Sequence, residues 1–281
     1  MDATKKGALF VLVAATSYAC MSAIVKVGAG LTVNQFVFMR NFVCLLVILP
    51  TLFMSKEKVL RTAVFPTHVV RACAGLLNMY CFFYSVHYIL LSDAVLLSNT
   101  MPLFIPLVMW VWHHKKFKKA LLPGLILGFL GVLLILHPGR ALFHPAAFLA
   151  LASGLFMAIS FAGIRELTKT ETISSILFYY FAISTALSLV PFVITWKMPS
   201  LLGWELLVSV GLFAAIYQYF VTKGYENASP SKISPLIYFA VVLSAFFDWI
   251  FWKYPPNLLT FAGLVLVVVG AIFCVRKDVH A

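Results

Sequence analysis

The chain has 281 residues, of which 63% are hydrophobic and only 11% are charged. Soluble domains carry about 25% charged residues, so this composition excludes a water-soluble globular protein and indicates an integral membrane protein. A formal net charge of +12 could indicate nucleic-acid binding. In a membrane protein, however, excess Lys and Arg marks the cytoplasmic loops, and we expect no nucleic-acid partner.

The apolar residues fall into ten segments, each able to cross a bilayer as a helix of about 20 residues. Short breaks rich in turn-forming or charged residues separate them. In chain order the predicted spans are Gly7–Val27, Gln35–Met54, Val69–His87, Asp93–Trp112, Ala120–Leu136, Ala146–Ile164, Ile173–Trp196, Leu202–Thr222, Ser234–Phe251 and Leu258–Val275. No stretch is long or polar enough for a separate soluble domain. The sequence therefore predicts an all-α integral membrane protein with ten transmembrane helices.

The loop charges predict the orientation of these spans. If the amino terminus lies in the cytoplasm, only Arg140, Lys197 and Lys253 among the loop Lys and Arg residues fall on the opposite side. Because cytoplasmic loops are enriched in basic residues, we expect both termini in the cytoplasm. The first apolar run is long for a signal peptide and other spans follow it, so we interpret it as an uncleaved helix. The predicted location is the bacterial inner (cytoplasmic) membrane, crossed several times.

A glycine spacing recurs near the ends of the two halves. Gly124 and Gly131 in the fifth predicted span have counterparts 139 residues later, at Gly263 and Gly270 in the tenth. The repeat indicates duplication, with residues 1–139 forming a first five-helix repeat and residues 140–281 a second. Five spans per half force the second repeat to insert upside down, and inverted repeats are the architecture of many transporters. We expect the glycines themselves to pack the last helices of the repeats closely together.

Polar groups inside spans are costly, so they should face protein or a water-filled cavity. Any one of them can simply bond a neighbouring helix, or it can bind substrate. Arg40 fits a structural role best, although it could attract an anionic substrate. Asp93 and Asp248, near the outer ends of the fourth and ninth spans, are candidates for ion coupling.

Prolines single out two spans. Pro102 and Pro106 interrupt the fourth span and Pro235 opens the ninth. Kinked helices at corresponding places of two halves indicate a transporter binding site.

Catalytic chemistry has no sequence support. The chain has no metalloprotease, nucleophile-elbow or phosphate-loop motif, and His113 and His114 have no nearby carboxylate that would complete a metal site. We therefore expect no enzymatic activity, no metal and no cofactor. The five cysteines fall within or at the ends of apolar runs and are interpreted as packing residues.

Three sets of segments carry a recognisable pattern, namely Arg71–Gly75 continuing through Phe82–Tyr84, Leu91–Ser98 followed by Pro102–Phe104, and Ala228–Tyr238. These segments resemble the EamA-type branch of the drug/metabolite transporter superfamily. The resemblance implies ten helices in two inverted five-helix repeats around a central cavity, with alternating access. It also implies a cavity lined mainly by spans one, three, four, six, eight and nine. The candidate substrate-binding residues in those spans are Tyr18, Asn78, Tyr84, Asn99, Phe156, Tyr217 and Tyr238.

These observations predict a secondary active transporter for a small organic metabolite, with an amino acid or a related amphipathic compound as the leading substrate class. The alternative is an uptake or exchange carrier for S-adenosylmethionine or another metabolite, which the resemblance implies because some EamA-type relatives are similar to such carriers. The candidate aromatic residues could hold a cationic group by cation–π attraction. A membrane scaffold or a membrane enzyme is the alternative of a different class. The expected partners are the small-molecule substrate and the lipid bilayer, and the expected assembly is a monomer or a weak homodimer.

Overall fold

A computed structural model describes residues 3–54, 62–113, 122–135, 145–227, 234–255 and 258–279. Every regular element in these ranges is helical. The elements are α1 (Ala3–Val27), α2 (Val33–Met54), α3 (Phe65–Tyr88), α4 (Leu91–Ser98), α5 (Met101–His113), α6 (Leu122–Ile135), α7 (Pro145–Leu167), α8 (Ile173–Ile194), α9 (Leu201–Asn227), a 3-10 helix (Ser234–Tyr238), α10 (Phe239–Trp252) and α11 (Leu258–Val279).

Each predicted span coincides with one helix or with two consecutive helical segments. Within the described ranges, α1, α2, α3, α7, α8 and α9 are long and apolar enough to cross a membrane. The shorter apolar segments Leu91–Ile105, Leu236–Trp252 and Leu258–Gly270 lie at the fourth, ninth and tenth predicted spans. The predicted all-α membrane fold is confirmed.

A threonine side chain caps the start of the second helix in each half. At the start of α2, Thr32 Oγ1 accepts a bond from the Gln35 backbone N–H at 3.2 Å, and Gln35 Oε1 accepts one from the Thr32 N–H at 2.9 Å. This reciprocal capping satisfies two backbone donors that a helix start leaves unpaired. Thr172 caps α8 by accepting from the Ser175 N–H at 3.3 Å, which satisfies one such donor. Local sequence thus fixes where both helices begin.

The fourth predicted span is two helices rather than one. Helix α4 ends at Ser98, Asn99 and Thr100 form a turn, and α5 begins at Met101. Proline lacks the N–H that would continue the helix, so Pro102 cannot bond the Ser98 carbonyl. The Thr100 side chain instead donates to the Leu97 carbonyl at 2.6 Å and closes the last turn of α4. The ninth span has a matching irregularity, because its first five residues, Ser234–Tyr238, form a 3-10 helix before α10.

The repeated glycines lie where α6 and α11 touch. A Cβ on Gly131 would come within 2.7 Å of the Gly263 carbonyl oxygen, and a Cβ on Gly270 within 2.5 Å of the Gly124 carbonyl oxygen. Only glycine permits two backbones to approach so closely. Position 131 faces 263 while 124 faces 270, so the two helices run antiparallel. The last helices of the two halves therefore point in opposite directions.

The helix pairs follow the same twofold pattern. Helix α1 packs along α9 and α3 along α7, so span one meets span eight and span three meets span six. Helices α2 and α8, the second spans of the two halves, pack against each other, as do α6 and α11. Exchanging the two halves leaves this set of neighbours unchanged. The core consequently lies between the halves rather than inside either one.

Candidate functional site

A cavity of about 50 Å³ lies between the two halves. Its walls come from α1, α2, α3, α7, α8 and α9. The lining residues are Tyr18, Met21, Arg40, Arg71, Gly75, Asn78, Met79, Phe82, Phe83, Met157, Ser160, Phe161, Ile164, Tyr180, Tyr217 and Gln218. The cavity is thus lined by spans one, two, three, six, seven and eight. Spans two and seven take part where the resemblance implies spans four and nine.

The lining residues repeat with the same offset as the glycines. Tyr18 and Met157 lie 139 positions apart, as do Asn78 and Tyr217. The same offset joins Met21 to Ser160 and Met79 to Gln218. Equivalent positions of the two repeats therefore face each other across one cavity. A site at a repeat interface is the arrangement found in transporters built from internal repeats.

Two arginines line the cavity, and both are almost completely buried. Arg40 is 3% exposed and Arg71 is 2% exposed. Arg40 Nη1 donates to Asn41 Oδ1 at 3.0 Å. Arg71 Nη1 donates to the Ile176 carbonyl at 2.7 Å, and its guanidinium lies 4.3 Å from the centre of the Tyr180 ring. Each guanidinium is thus held at one side and faces shared space at the other.

Three polar atoms of the cavity lining remain unsatisfied. Arg40 Nε, Arg71 Nε and Asn78 Oδ1 have no hydrogen-bond partner among the residues that the structure describes. Leaving such an atom buried and unbonded costs about 1–3 kcal/mol, and more when the group is charged. A ligand that supplies the missing partners would recover this free energy. Two of these atoms are donors and one is an acceptor.

Aromatic rings form another part of the lining. The Tyr18 ring stacks on Phe82 with the centroids 5.4 Å apart and packs against Tyr217 at 5.3 Å. The Tyr18 hydroxyl donates to Ser98 Oγ at 3.5 Å, which connects the cavity wall to the last residue of α4. Such a wall can hold an apolar or planar part of a small molecule.

Four of the seven predicted substrate-binding residues lie elsewhere. Asn99 and Tyr238 contact each other at the two span breaks, where the Tyr238 hydroxyl donates to the Asn99 carbonyl at 3.0 Å. Tyr84 is 42% exposed on the outer face of α3 and packs on Tyr88. Phe156 is half-buried and is not part of the lining. The cavity therefore brings together Tyr18, Asn78 and Tyr217 from the predicted set.

The carboxylates considered for coupling lie away from the cavity. Asp248 accepts from Lys26 Nζ at 2.9 Å, and from the backbone N–H groups of Leu91 and Ser92 at 3.1 and 2.8 Å. Ser92 Oγ also donates to it, at 2.8 Å. This buried carboxylate joins the end of α1, the start of α4 and the end of α10. Asp93 is half-buried on α4 beside this junction.

A larger groove of about 340 Å³ lies beside the cavity, between α2, α8 and α9. It is lined mainly by apolar residues, including Cys44, Leu177 and Ala215, and also by Lys223. Gln218 lines both the groove and the central cavity. The two spaces therefore share one lining residue.

An all-helical membrane protein with two related halves and a polar cavity between them has the architecture of a transporter. Comparison with known families agrees, since the EamA-like transporter family profile matches residues 5–137 and again residues 144–276. The chain belongs to the EamA-like transporter family and carries two copies of its characteristic domain. It is a transporter of a small metabolite.

Several characterised relatives align over almost the whole chain. The pseudopaline exporter CntI of Pseudomonas aeruginosa PAO1 is 30% identical over 278 residues, covering 97% of this chain and 96% of that protein. The riboflavin transporter of Vibrio cholerae is 23% identical, covering 97% and 94%. The S-adenosylmethionine uptake transporter of Rickettsia felis is 23% identical, covering 90% and 86%.

The fold is also present among solved structures. One crystal structure superposes with a TM-score of 0.68 over 99% of both chains, at 17% sequence identity. At this identity the likeness shows the fold alone.

Proposed function

We propose that this chain is a secondary active carrier that works by alternating access, and that the cavity between the two halves is its substrate site. The observation that carries the proposal is the cavity lining. Equivalent residues of both repeats face one another there, and Arg40, Arg71 and Asn78 hold unsatisfied polar atoms. Buried polar atoms are usually paired, because each unpaired one costs free energy, and here two arginines and an asparagine with such atoms line one cavity.

The cavity volume supports a mechanism that changes conformation. About 50 Å³ is room for one or two water molecules, whereas sites for metabolites measure about 300–1,000 Å³. Helices must therefore separate before a metabolite can bind. The helix pairs between the two halves are related by a twofold pattern. The same relative movement of the halves can therefore open the cavity at either end. This is why we favour alternating access.

We infer that the outer end is closed by the junction of α1, α4 and α10 around Asp248. The positive-inside pattern supports this orientation, with both termini in the cytoplasm of a bacterial inner membrane. In the same orientation the groove beside Gln218 opens toward the cytoplasmic half, and it is our candidate for the inward route. The antiparallel pairing of α6 and α11 supports inverted repeats at residues 1–139 and 140–281.

The substrate class that we propose is an amino acid or a related amphipathic metabolite. Guanidinium groups bind carboxylates, and the aromatic wall at Tyr18 and Phe82 suits an apolar side chain. The relatives named above are described as carriers of different compounds, so they support the transport of a small metabolite but not one particular substrate. We propose that the carrier acts as a monomer or a weak homodimer and that it is not an enzyme.

Transport by the purified protein in proteoliposomes tests this proposal. A panel of radiolabelled amino acids, amino-acid derivatives and S-adenosylmethionine would be offered with and without an imposed pH gradient. We expect saturable uptake of at least one compound, absent from protein-free liposomes. A chain that moves none of them, while remaining folded, contradicts the carrier proposal.

Ion coupling by Asp93 or Asp248 is a separate part of the proposal. A proton-coupled carrier would accumulate substrate when the pH gradient is imposed, and Asp93→Asn or Asp248→Asn would abolish that response. If the pH gradient does not change uptake in the wild type or in either variant, proton coupling through these residues is excluded. The carrier proposal itself is not affected by that result.

A further inference from the structure

We propose that the transported compound is an organic anion whose charged oxygens are bound by Arg40 and Arg71, with Asn78 accepting a hydrogen bond from a neighbouring N–H or O–H of the same compound. This inference rests on the proposed carrier function and assigns its substrate class. Relatives move compounds of different kinds, so the assignment comes from this cavity and not from the family.

The first argument is an imbalance of charge. Arginine stays positively charged at physiological pH, and both guanidiniums are at least 97% buried. Neither forms an ion pair with a carboxylate in the part of the chain that the structure describes. Buried charges are normally paired, because the loss of hydration is otherwise uncompensated. Two uncompensated cations in one small cavity define a site for negative charge.

The second argument comes from the acids that lie nearby. Asp248 is bonded to Lys26 and to the start of α4, and Glu171 accepts from Thr62 Oγ1 at 2.6 Å and from Ser175 Oγ at 3.2 Å. These carboxylates already have partners. Among the described lining residues there is no Asp or Glu. The anion that balances the arginines must therefore come from the ligand.

The third argument is the way in which each arginine is held. Arg40 uses Nη1 on Asn41, and Arg71 uses Nη1 on the Ile176 carbonyl and its flat face on Tyr180. Nε remains unbonded in both. A carboxylate or phosphate can take Nε together with a second N–H of the same guanidinium in a two-point contact. The side chains are thus fixed in position before the anion arrives.

The same arrangement disfavours a cationic substrate. A sulfonium or ammonium group placed among the lining aromatics would share the cavity with two guanidiniums, and like charges in a low-dielectric space repel strongly. The aromatic wall then holds the apolar part of the anion rather than a cation. A compound with two anionic groups matches the two arginines.

Ligand-induced thermal stabilisation of the full chain in nonionic detergent tests the inference. The probes are succinate, glutarate and glutamate for carboxylates, O-phosphoserine for phosphomonoesters, spermidine for cations, and sodium chloride at matched ionic strength. We expect a saturable rise of the unfolding temperature with the anions and none with spermidine or chloride. Stabilisation by O-phosphoserine alone would support the anion site and assign it to phosphomonoesters.

Arg40→Gln and Arg71→Gln should each weaken anion binding about 10- to 100-fold, as expected for the loss of a charged hydrogen bond. Lys197→Gln removes an exposed positive charge outside the cavity and should leave binding unchanged. Arg40→Gln has a second expected signature, which a structural role would not give. Without ligand, the variant should unfold at the same temperature as the wild type or higher, because an uncompensated buried charge is gone.

Two results would overturn the inference. One is stabilisation by the anions that matches chloride or persists in both arginine variants. The other is proteoliposome uptake of a neutral or cationic compound that neither variant changes, in which case the carrier function stands and the anionic substrate class is wrong. Conversely, saturable anion binding without transport of any compound would retain the site and refute the carrier.

Discussion

The Tyr238 hydroxyl donates a hydrogen bond to the Asn99 carbonyl oxygen at 3.0 Å, and the two residues are 139 positions apart. This is the offset that relates Gly124 to Gly263 and Asn78 to Tyr217. Residues at equivalent positions of two repeats touch only near the axis that relates them. The two broken spans therefore meet near this axis, where Asn99 follows the end of α4 and Tyr238 ends the 3-10 helix.

Tyr238→Phe tests the importance of this contact. The substitution removes one buried hydrogen bond and leaves the ring, so we expect a loss of about 1 kcal/mol in the free energy of unfolding, together with slower transport. Thermal unfolding in detergent and initial uptake rates measure the two effects. Tyr254→Phe is the matched control, because Tyr254 is 57% exposed and lines neither the cavity nor the groove. Equal behaviour of the two variants would show that the Tyr238–Asn99 bond contributes nothing.

The close approach of α6 and α11 predicts a strong effect at Gly131. An added methyl group would meet the Gly263 carbonyl at 2.7 Å, and backbone cannot rotate away as a side chain can. We expect Gly131→Ala to destabilise the protein by about 1–3 kcal/mol, the usual cost of overpacking. Gly30→Ala is the control, since nothing lies within 4 Å of its added Cβ. A Gly131→Ala variant as stable as Gly30→Ala would mean that the two helices do not pack through this glycine.

The ion pair of Lys26 with Asp248 predicts non-additive energetics. Asp248→Asn leaves Lys26 without its counter-charge and should cost about 3–5 kcal/mol of stability, as for other broken buried pairs. Lys26→Met should also destabilise. The double variant should cost less than the sum of the two single variants, because no unpaired charge remains. Additive costs, measured by thermal unfolding of all four proteins, would show that the pair does not act as a unit.

The groove beside Gln218 predicts a separation of binding from transport. Ala215 lines the groove but not the cavity, so Ala215→Trp should fill the groove and leave the arginines in place. We expect slower transport with unchanged affinity for the anion in detergent. The control is Leu212→Trp, which adds the same ring on an exposed part of α9. If Ala215→Trp transports at the wild-type rate, the groove is not the substrate route.

The positions of the spans could be predicted from sequence because each apolar stretch is bounded by charges, glycines or prolines. The break at Asn99 was less visible. Pro102 and Pro106 predict a kink, but the helix ends at Ser98, before the first proline, because Pro102 has no N–H with which to bond the Ser98 carbonyl. Proline therefore marks the region of a break better than the residue at which it occurs.

The cavity face of α3 was harder to predict. Its lining residues recur with helical spacing, at Arg71, Gly75, Asn78 and Phe82. Tyr84 lies six residues after Asn78, which at 3.6 residues per turn turns it well away from that face. Apolar residues such as Gly75 and Phe82 share that face with Arg71 and Asn78, so polarity marks it only weakly. Tyr84 is a candidate by residue type alone, and it lies on the outside.

Arg71 was not among the predicted site residues, although a signal for it existed. Every Lys and Arg except Lys26, Arg40 and Arg71 lies outside the predicted spans. Arg71 stands one or two turns inside α3, a place where long basic side chains commonly reach the membrane surface. Only the packing of α3 against α7 and α8 shows that it is buried beside Tyr180.

Accessibility of the cavity from both sides of the membrane is the most direct test of alternating access. Asn78→Cys would be introduced into a cysteine-free protein and treated with a membrane-impermeant thiol reagent from either side of oriented proteoliposomes. Ser244→Cys is the control, because Ser244 is fully buried on α10 outside the cavity. Alternating access through this cavity predicts that position 78 reacts from both sides, that substrate slows both reactions, and that position 244 reacts from neither. Labelling of position 78 from neither side, or labelling that no transported compound alters, would contradict alternating access through this cavity.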